Sequence, residues 1–228
     1  MKGILYGVGV GPGDPELMTL KAVRIIEEND VIAVPGKIPE ETAAYKIASA
    51  VIPSLAEKKL LPMDMPMVKD REIIKSEHEK CAKIIEGFLG SGKNVVYITL
   101  GDPTIYSTFG YLQKIIAKDG FETEYISGIP SFCAAAAKLG QPLAEWNEPL
   151  HIIPAFHKNN NSIHSCDGNY ILMKSGKDIK QLKETLKKER FSAWAVENCG
   201  MECQRIYRSI EEFPDNAGYF FLIMAKKS

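Results

Sequence analysis

At ~100–200 residues per domain, a chain of 228 residues holds one large or two small domains, and its 45% hydrophobic and 25% charged residues are ordinary for a globular protein. A formal net charge of −1 excludes a global field that would recruit nucleic acid or an anionic membrane. No apolar run reaches the ~20 residues a membrane-spanning helix needs, and the first segment, cut by Gly7, Gly9 and Gly11, lacks the small-residue cleavage site of a signal peptide; a cytoplasmic location is the expectation.

In chain order, strand-length apolar runs alternate with amphipathic helical segments. Ile4 to Val10 reads as the first strand. A glycine loop leads to a helix over about Pro15 to Glu28, with Asp14 as cap and Pro15 at the first helical position. Val31 to Val34 is a short strand, Glu41 to Val51 a helix, Lys59 to Leu61 a weak strand and Glu72 to Leu89 a long helix. Val95 to Leu100 is a strand broken by Gly101-Asp102-Pro103, followed by a helix over Ile105 to Ala117.

Phe121 to Ile126 is the next strand, and Ser131 caps an alanine-rich helix, Phe132 to Leu139. Ile152-Ile153 lies in a short strand, Phe156 to Asn169 reads as a polar exposed loop, Tyr170 to Met173 as strand and Asp178 to Lys188 as helix. Ala193 to Val196, Ile206-Tyr207 and Tyr219 to Ala225 complete the strands. The alternation predicts an α/β protein. A boundary falls near Lys118-Asp119-Gly120, giving domains 1–119 and 120–228, the second with a mixed sheet because its last strands have no helices between them.

The five cysteines, odd in number and irregularly spaced, argue against a disulfide framework. His157, His164 and Cys166 lack the paired spacing of metal ligands, so no protein metal site is expected. Gly7-Val8-Gly9-Val10-Gly11-Pro12-Gly13-Asp14 resembles a dinucleotide fingerprint but fails its spacing, and Asp14 puts a negative charge where a pyrophosphate would sit. The loop is either a close-approach ligand loop or a tight turn. Gly87-Phe88-Leu89-Gly90-Ser91-Gly92-Lys93-Asn94 spells most of a phosphate-binding loop, but joins helix to strand, the reverse of the required order. Leu100-Gly101-Asp102-Pro103 stands at the carboxyl end of a strand, where α/β sheets bind ligands. Ser127-Gly128-Ile129-Pro130-Ser131 is another strand-to-helix turn.

In this order the pieces resemble the tetrapyrrole methylase family over nearly the whole chain: the glycine loop with Leu17, Thr19, Leu20 and Ala22, the Gly-Asp-Pro segment, the Ser-Gly-Ile-Pro-Ser turn, and Val196-Glu197-Asn198. Pro66 to Asp70, Thr99 to Thr108, and Pro142-Leu143-Ala144-Glu145 look like the precorrin-2 and cobalt-precorrin-2 C-20 methyltransferases of cobalamin synthesis. Ser127 stands where much of the family has proline.

The resemblance implies two α/β domains with S-adenosylmethionine in the cleft between them, a homodimer, and a tetrapyrrole substrate. The cofactor would touch Pro12, Leu100, Gly101, Asp102, Ile105, Pro130, Ser131, Met173 and Cys199, in many cases through backbone. Methyl transfer to an electron-rich meso carbon needs alignment above all, which can supply ~7–11 kcal/mol. Asp102 and Tyr106 are the candidates for assisting proton loss from the methylated carbon. Lys37, Lys69 and Lys174 are candidates for substrate carboxylates, each with a solvated lysine as the plain alternative. Met63, Met65 and Met67 either face a macrocycle or pack a core. The rival readings are another methylase of this fold, acting on RNA or a protein histidine derivative, and a noncatalytic nucleotide-binding module.

Overall fold

A computed structural model describes residues 1–65, 70–154, 167–176 and 179–227. They form two compact units, Met1–Pro130 and Ser131–Ser228. The division falls eleven residues beyond the expected boundary at 119/120 because the strand after Gly120 pairs with the first strand of the chain.

The first unit is a five-stranded, wholly parallel sheet. Its strands are β1 (Ile4–Gly9), β2 (Val31–Pro35), β3 (Lys59–Met63), β4 (Val95–Thr99) and β5 (Glu122–Ile126), in the order β3-β2-β4-β1-β5. Both faces are covered, as the near-continuous apolar runs require. Alternate residues of each strand serve opposite faces. Val8, Ile32, Val34, Val96 and Ile98 pack with α1 (Leu20–Glu27) and α2 (Ala43–Val51). Leu5, Val31, Ala33, Val95 and Tyr97 pack with α3 (Arg71–Gly90) and α4 (Phe109–Lys118). Each fully buried large side chain in these layers contributes about 1.5–3 kcal/mol.

Two helices start later than the periodicity predicts. Asp14 does cap a turn, accepting from Glu16 N at 3.0 Å, but that turn is a 3₁₀ segment ending at Leu17. Thr19 starts α1 afresh, its hydroxyl accepting from Ala22 N. The α4 helix begins at Phe109, because residues 100–108 form a loop held by side-chain hydrogen bonds.

The second unit carries β6 (Leu150–Pro154), β7 (Asn169–Met173), β8 (Phe191–Glu197), β9 (Arg205–Tyr207) and β10 (Phe221–Lys227), in the order β6-β7-β10-β8-β9. β10 runs antiparallel to β7 and β8, which makes the sheet mixed as expected. Helix α6 (Ile179–Lys188) buries Ile179, Leu182 and Leu186 against β7, β8 and β10. Helix α5 (Ser131–Leu139) packs by its alanines and Phe132. No helix among the described residues is long and apolar enough to cross a membrane.

Candidate active site

The chain leaves β1 toward β2, passing over β4, and leaves β4 toward β5, passing over β1. Neighbouring strands thus send their connections in opposite directions, and a crevice opens outside their carboxyl ends, the usual ligand position in such sheets. Pro12, Leu100, Gly101, Asp102 and Ile105 all lie at this edge.

The glycines there hold backbone against backbone. Gly101 N donates to Gly11 O at 2.7 Å and Gly11 N to Gly101 O at 3.3 Å, an isolated antiparallel bridge between the two loops. A Cβ on Gly9 or on Gly128 would lie closer than 3.0 Å to the Gly101 carbonyl oxygen. Gly101 itself is buried and has φ +72°, and a Cβ there would meet only Ile129 O, at 4.0 Å, so its left-handed backbone rather than a close neighbour is what calls for glycine. The two readings of the glycine loop therefore divide by residue. Gly9 is explained by loop packing, Gly11 by its left-handed φ of +80°, and the facing Gly101 by its left-handed φ of +72°.

Asp102, only 7% exposed, is the cross-tie. Its Oδ2 accepts from Gly128 N at 2.9 Å; its Oδ1 accepts from Thr104 N at 2.8 Å and from the Thr104 hydroxyl. Both carboxylate oxygens are spent inside the protein, which fits a group that holds loops better than one that collects a proton.

Tyr106 is half-exposed and has a left-handed φ of +49°. Such a conformation costs a non-glycine residue ~1–3 kcal/mol and persists only where neighbours over-determine it. The neighbours are hydroxyls. Tyr97 OH lies 2.6 Å from Thr108 Oγ1, and Thr99 Oγ1 lies 3.1 Å from Ser107 Oγ, which also accepts from Phe109 N at 3.2 Å. Burial pushes the Tyr97 phenol well above the ordinary tyrosine range, so it stays neutral, able to donate to the Thr108 hydroxyl or accept from it. These pairs, and the Gly128 amide, escaped the reading of the sequence. The one available signal was Tyr97-Ile98-Thr99, two hydroxyl side chains on one face of a strand otherwise apolar.

In the second unit, Met173 is the last residue of β7 and Cys199 follows the carboxyl end of β8, the two strands flanking β10. Cys199 is buried, and the turn around it is set by Asn198 at φ +51° and Gly200 at φ +76°. The buried carboxylate of Glu197 accepts from Gly218 N at 2.8 Å and from Tyr207 OH at 3.3 Å, tying this edge together as Asp102 does in the first unit. Lys174 has φ +59°, and its ammonium lies 5.5 Å from the Tyr219 ring centroid. Pro130 ends the first unit and Ser131 opens α5.

Other expected positions fare differently. Lys37, at the end of β2, has its side chain 80% exposed and its ammonium 3.7 Å from Asp64, the situation of a solvated lysine. Met63 is wholly buried and Met65 packs against the same core, so neither offers a free face. Lys69, Met67, His157, His164 and Cys166 lie outside the described residues. Near Lys93 the order is helix then strand: Gly92 N and Lys93 N bond to the last carbonyls of α3, at Leu89 and Phe88. Asn94, in the metal-ligand place of a phosphate loop, instead accepts from Ile4 N at 2.9 Å and donates to Asn29 Oδ1 at 3.0 Å.

This two-unit α/β architecture, with its ligand edge at the β1–β4 switch point, is matched by a family profile. Residues 4–213 fit that of the tetrapyrrole (corrin/porphyrin) methylases, and the chain belongs to that family. Within it, the chain is similar to a probable cobalt-precorrin-2 C(20)-methyltransferase of Methanocaldococcus jannaschii, 41% identical over 151 residues, which are 66% of this chain and 63% of that protein. It is 27% identical over 233 residues to a precorrin-2 C(20)-methyltransferase of Sinorhizobium, covering 97% and 94% of the two chains. A uroporphyrin-III C-methyltransferase of Thermus thermophilus, solved with S-adenosylhomocysteine, superposes with a TM-score of 0.69 at 19% identity over 99% of this chain and 98% of the other, a likeness of fold.

Proposed function

We propose that the chain is an S-adenosylmethionine-dependent C-methyltransferase acting on the C-20 meso carbon of precorrin-2 or cobalt-precorrin-2. The observation that carries this reading is the edge at the β1–β4 switch point, where the Gly11–Gly101 bridge sets the two loops main chain to main chain and a Cβ at Gly101 would meet nothing closer than Ile129 O at 4.0 Å. That edge fits a donor recognised by main-chain groups and shape: a side chain at 101 would occupy the space, and the Asp102 carboxylate is already spent. The names of the relatives supply the substrate.

S-adenosylmethionine, when bound, supplies a methyl group already activated by its sulfonium. The protein's task is then alignment and exclusion of water. Pro12, Leu100, Gly101, Ile105 and Pro130 in the first unit, and Ser131, Met173 and Cys199 in the second, are each donor contacts on this reading. Asp102 acts by fixing the loops that hold the donor. Tyr106 stands at the same edge as the side chain for the macrocycle, and Lys174 serves a substrate carboxylate. Proton loss from the methylated carbon requires no strong base and goes to solvent water, to which the Tyr106 hydroxyl can hydrogen-bond. The homodimer and the cytoplasmic location implied by the resemblance belong to the same proposal.

The test is a pair of anaerobic assays with precorrin-2 and its cobalt complex, following S-adenosylhomocysteine release and locating the new methyl group by NMR. Methylation at C-20 of either substrate is the expected result. Turnover with neither, alongside methylation of RNA or of a protein histidine derivative, would replace this reading with the rival one.

A further inference from the structure

We infer that Tyr106 is a specificity-determining contact for the tetrapyrrole, and that Thr108 and Ser107 are positioning residues that act through it; this rests on the function proposed above. Strand β4 places Tyr97 and Thr99 two residues apart, on the same face. The segment leading into α4 turns back over that face, and each strand hydroxyl meets one loop hydroxyl, Thr108 at 2.6 Å and Ser107 at 3.1 Å. Tyr97 is fully buried and Thr99 nearly so, while their partners Thr108 and Ser107 are partly exposed, so each rung is anchored at its strand end. Ser107 accepts from Phe109 N as well, so its hydroxyl hydrogen is left for Thr99.

A third anchor is steric. The Phe109 ring lies where a Cβ of Gly7 would be, which fixes the start of α4 against β1. The next residue outward from this brace is Tyr106, the left-handed one. A strained backbone beside two part-buried hydrogen-bonded rungs is the pattern of a side chain held in one place at a cost in stability. A half-exposed phenol ring at the carboxyl edge of β4 offers a flat apolar face and a hydroxyl to a flat, polar-rimmed macrocycle. The donor contacts in the same loop are backbone, so loosening the brace shifts the aromatic ring more than it shifts the donor site.

The experiment is a double-mutant cycle between Thr108→Val and Tyr106→Ala, with Ser107→Ala as a parallel arm and Thr108→Ser as the conservative rescue. Dissociation constants for precorrin-2 and for S-adenosylhomocysteine are measured separately. Tyr106→Ala is expected to weaken precorrin-2 binding about tenfold and S-adenosylhomocysteine binding by less than about twofold. Thr108→Val is expected to do the same in the wild-type background and almost nothing in the Tyr106→Ala background, because coupled residues are non-additive. Thr108→Ser should restore most of the loss. Unchanged precorrin-2 affinity in Tyr106→Ala, with wild type binding normally, overturns the contact. Equal losses from Thr108→Val in both backgrounds overturn the positioning role. The cycle is run on whichever of precorrin-2 and its cobalt complex the wild type binds, and binding of neither by wild type overturns the proposed function itself. Hydrogen exchange across residues 105–109 gives a readout that needs no ligand: faster exchange there in Thr108→Val is expected, and unchanged exchange counts against the brace.

Discussion

Gly128 N donates to Asp102 Oδ2 at 2.9 Å, so one carboxylate oxygen fastens the loop after β5 to the loop after β4. The other oxygen holds Thr104 within its own loop. Asp102→Ala is expected to leave two backbone amides without partners and to cost about 1–3 kcal/mol in a denaturant melt. S-adenosylhomocysteine affinity should fall at least tenfold, ~1.4 kcal/mol, because the donor loops lose their tie. Asp102→Asn, which keeps a carbonyl acceptor, should recover part of both. Wild-type stability in the alanine variant would remove Asp102 from the role of cross-tie.

Gly128→Ala tests the packing at the same place. The added methyl group would press on the Gly101 carbonyl and on the Gly9 backbone, neither of which can swing aside like a flexible side chain. Overpacking of this kind costs ~1–3 kcal/mol. A lower melting temperature together with weaker S-adenosylhomocysteine binding is expected by calorimetry. At Gly140, where a Cβ meets nothing within 4 Å, the same substitution faces only the left-handed φ of +67° and serves as the control for backbone strain alone.

Lys93→Ala tests the false phosphate loop. The carbonyl end of α3 faces this segment, and a helix C-terminus repels anions. Methyl transfer within about twofold of wild type and a stability loss under ~1 kcal/mol are expected, since an exposed cation near a helix end contributes ~0.3–1 kcal/mol. Isothermal titration should give no saturable ATP or GTP binding. Magnesium-dependent nucleotide binding abolished by the substitution would reverse the reading.

The second unit offers a pH signature. Hydrogen bonds from Lys226 and Asn169, and from the Glu145 amide, push the Glu148 carboxyl from an ordinary 4.5 down to about 2. A carboxyl lowered in the folded state adds stability that is fully present above the unfolded value and lost as pH falls through the folded one. Chemical denaturation should therefore show a loss between about pH 4.5 and 2, and Glu148→Gln should flatten that slope. An identical slope in the variant would assign the acid sensitivity to other carboxyls.

Most strands were legible as short runs rich in β-branched and aromatic residues, as in Val95-Val96-Tyr97-Ile98-Thr99, whereas β3, Lys59-Leu60-Leu61-Pro62-Met63, has none and read as weak. The helix starts were less so. Asp14-Pro15 is a sound start signal, yet Met18-Thr19 interrupts the helix because the Thr19 hydroxyl caps a second one more effectively. The boundary after Asp119 was misplaced because nothing local says that Ile4 pairs with Glu122. The same non-locality hid the role of Asp102: its position in a ligand-edge turn is visible in the sequence, but its partner Gly128 is brought near only by the assembled sheet. The Gly-rich loop was legible as special, and its division into packing glycines and left-handed ones required the neighbouring loops.

The strand order has a consequence for biosynthesis. β1 is the first strand made, yet Leu5 pairs with Val95 and Ile4 with Glu122, so both of its edges stay bare until β4 has been translated and one of them until the end of the unit. At ~5–20 residues per second that is a wait of roughly 6–25 s. During it an apolar, glycine-punctuated segment with two open edges, then one, is available to wrong partners. Ribosome-bound chains cut short before β5 should accordingly depend on chaperone protection, and lose that dependence once the turn at Gly128 has emerged.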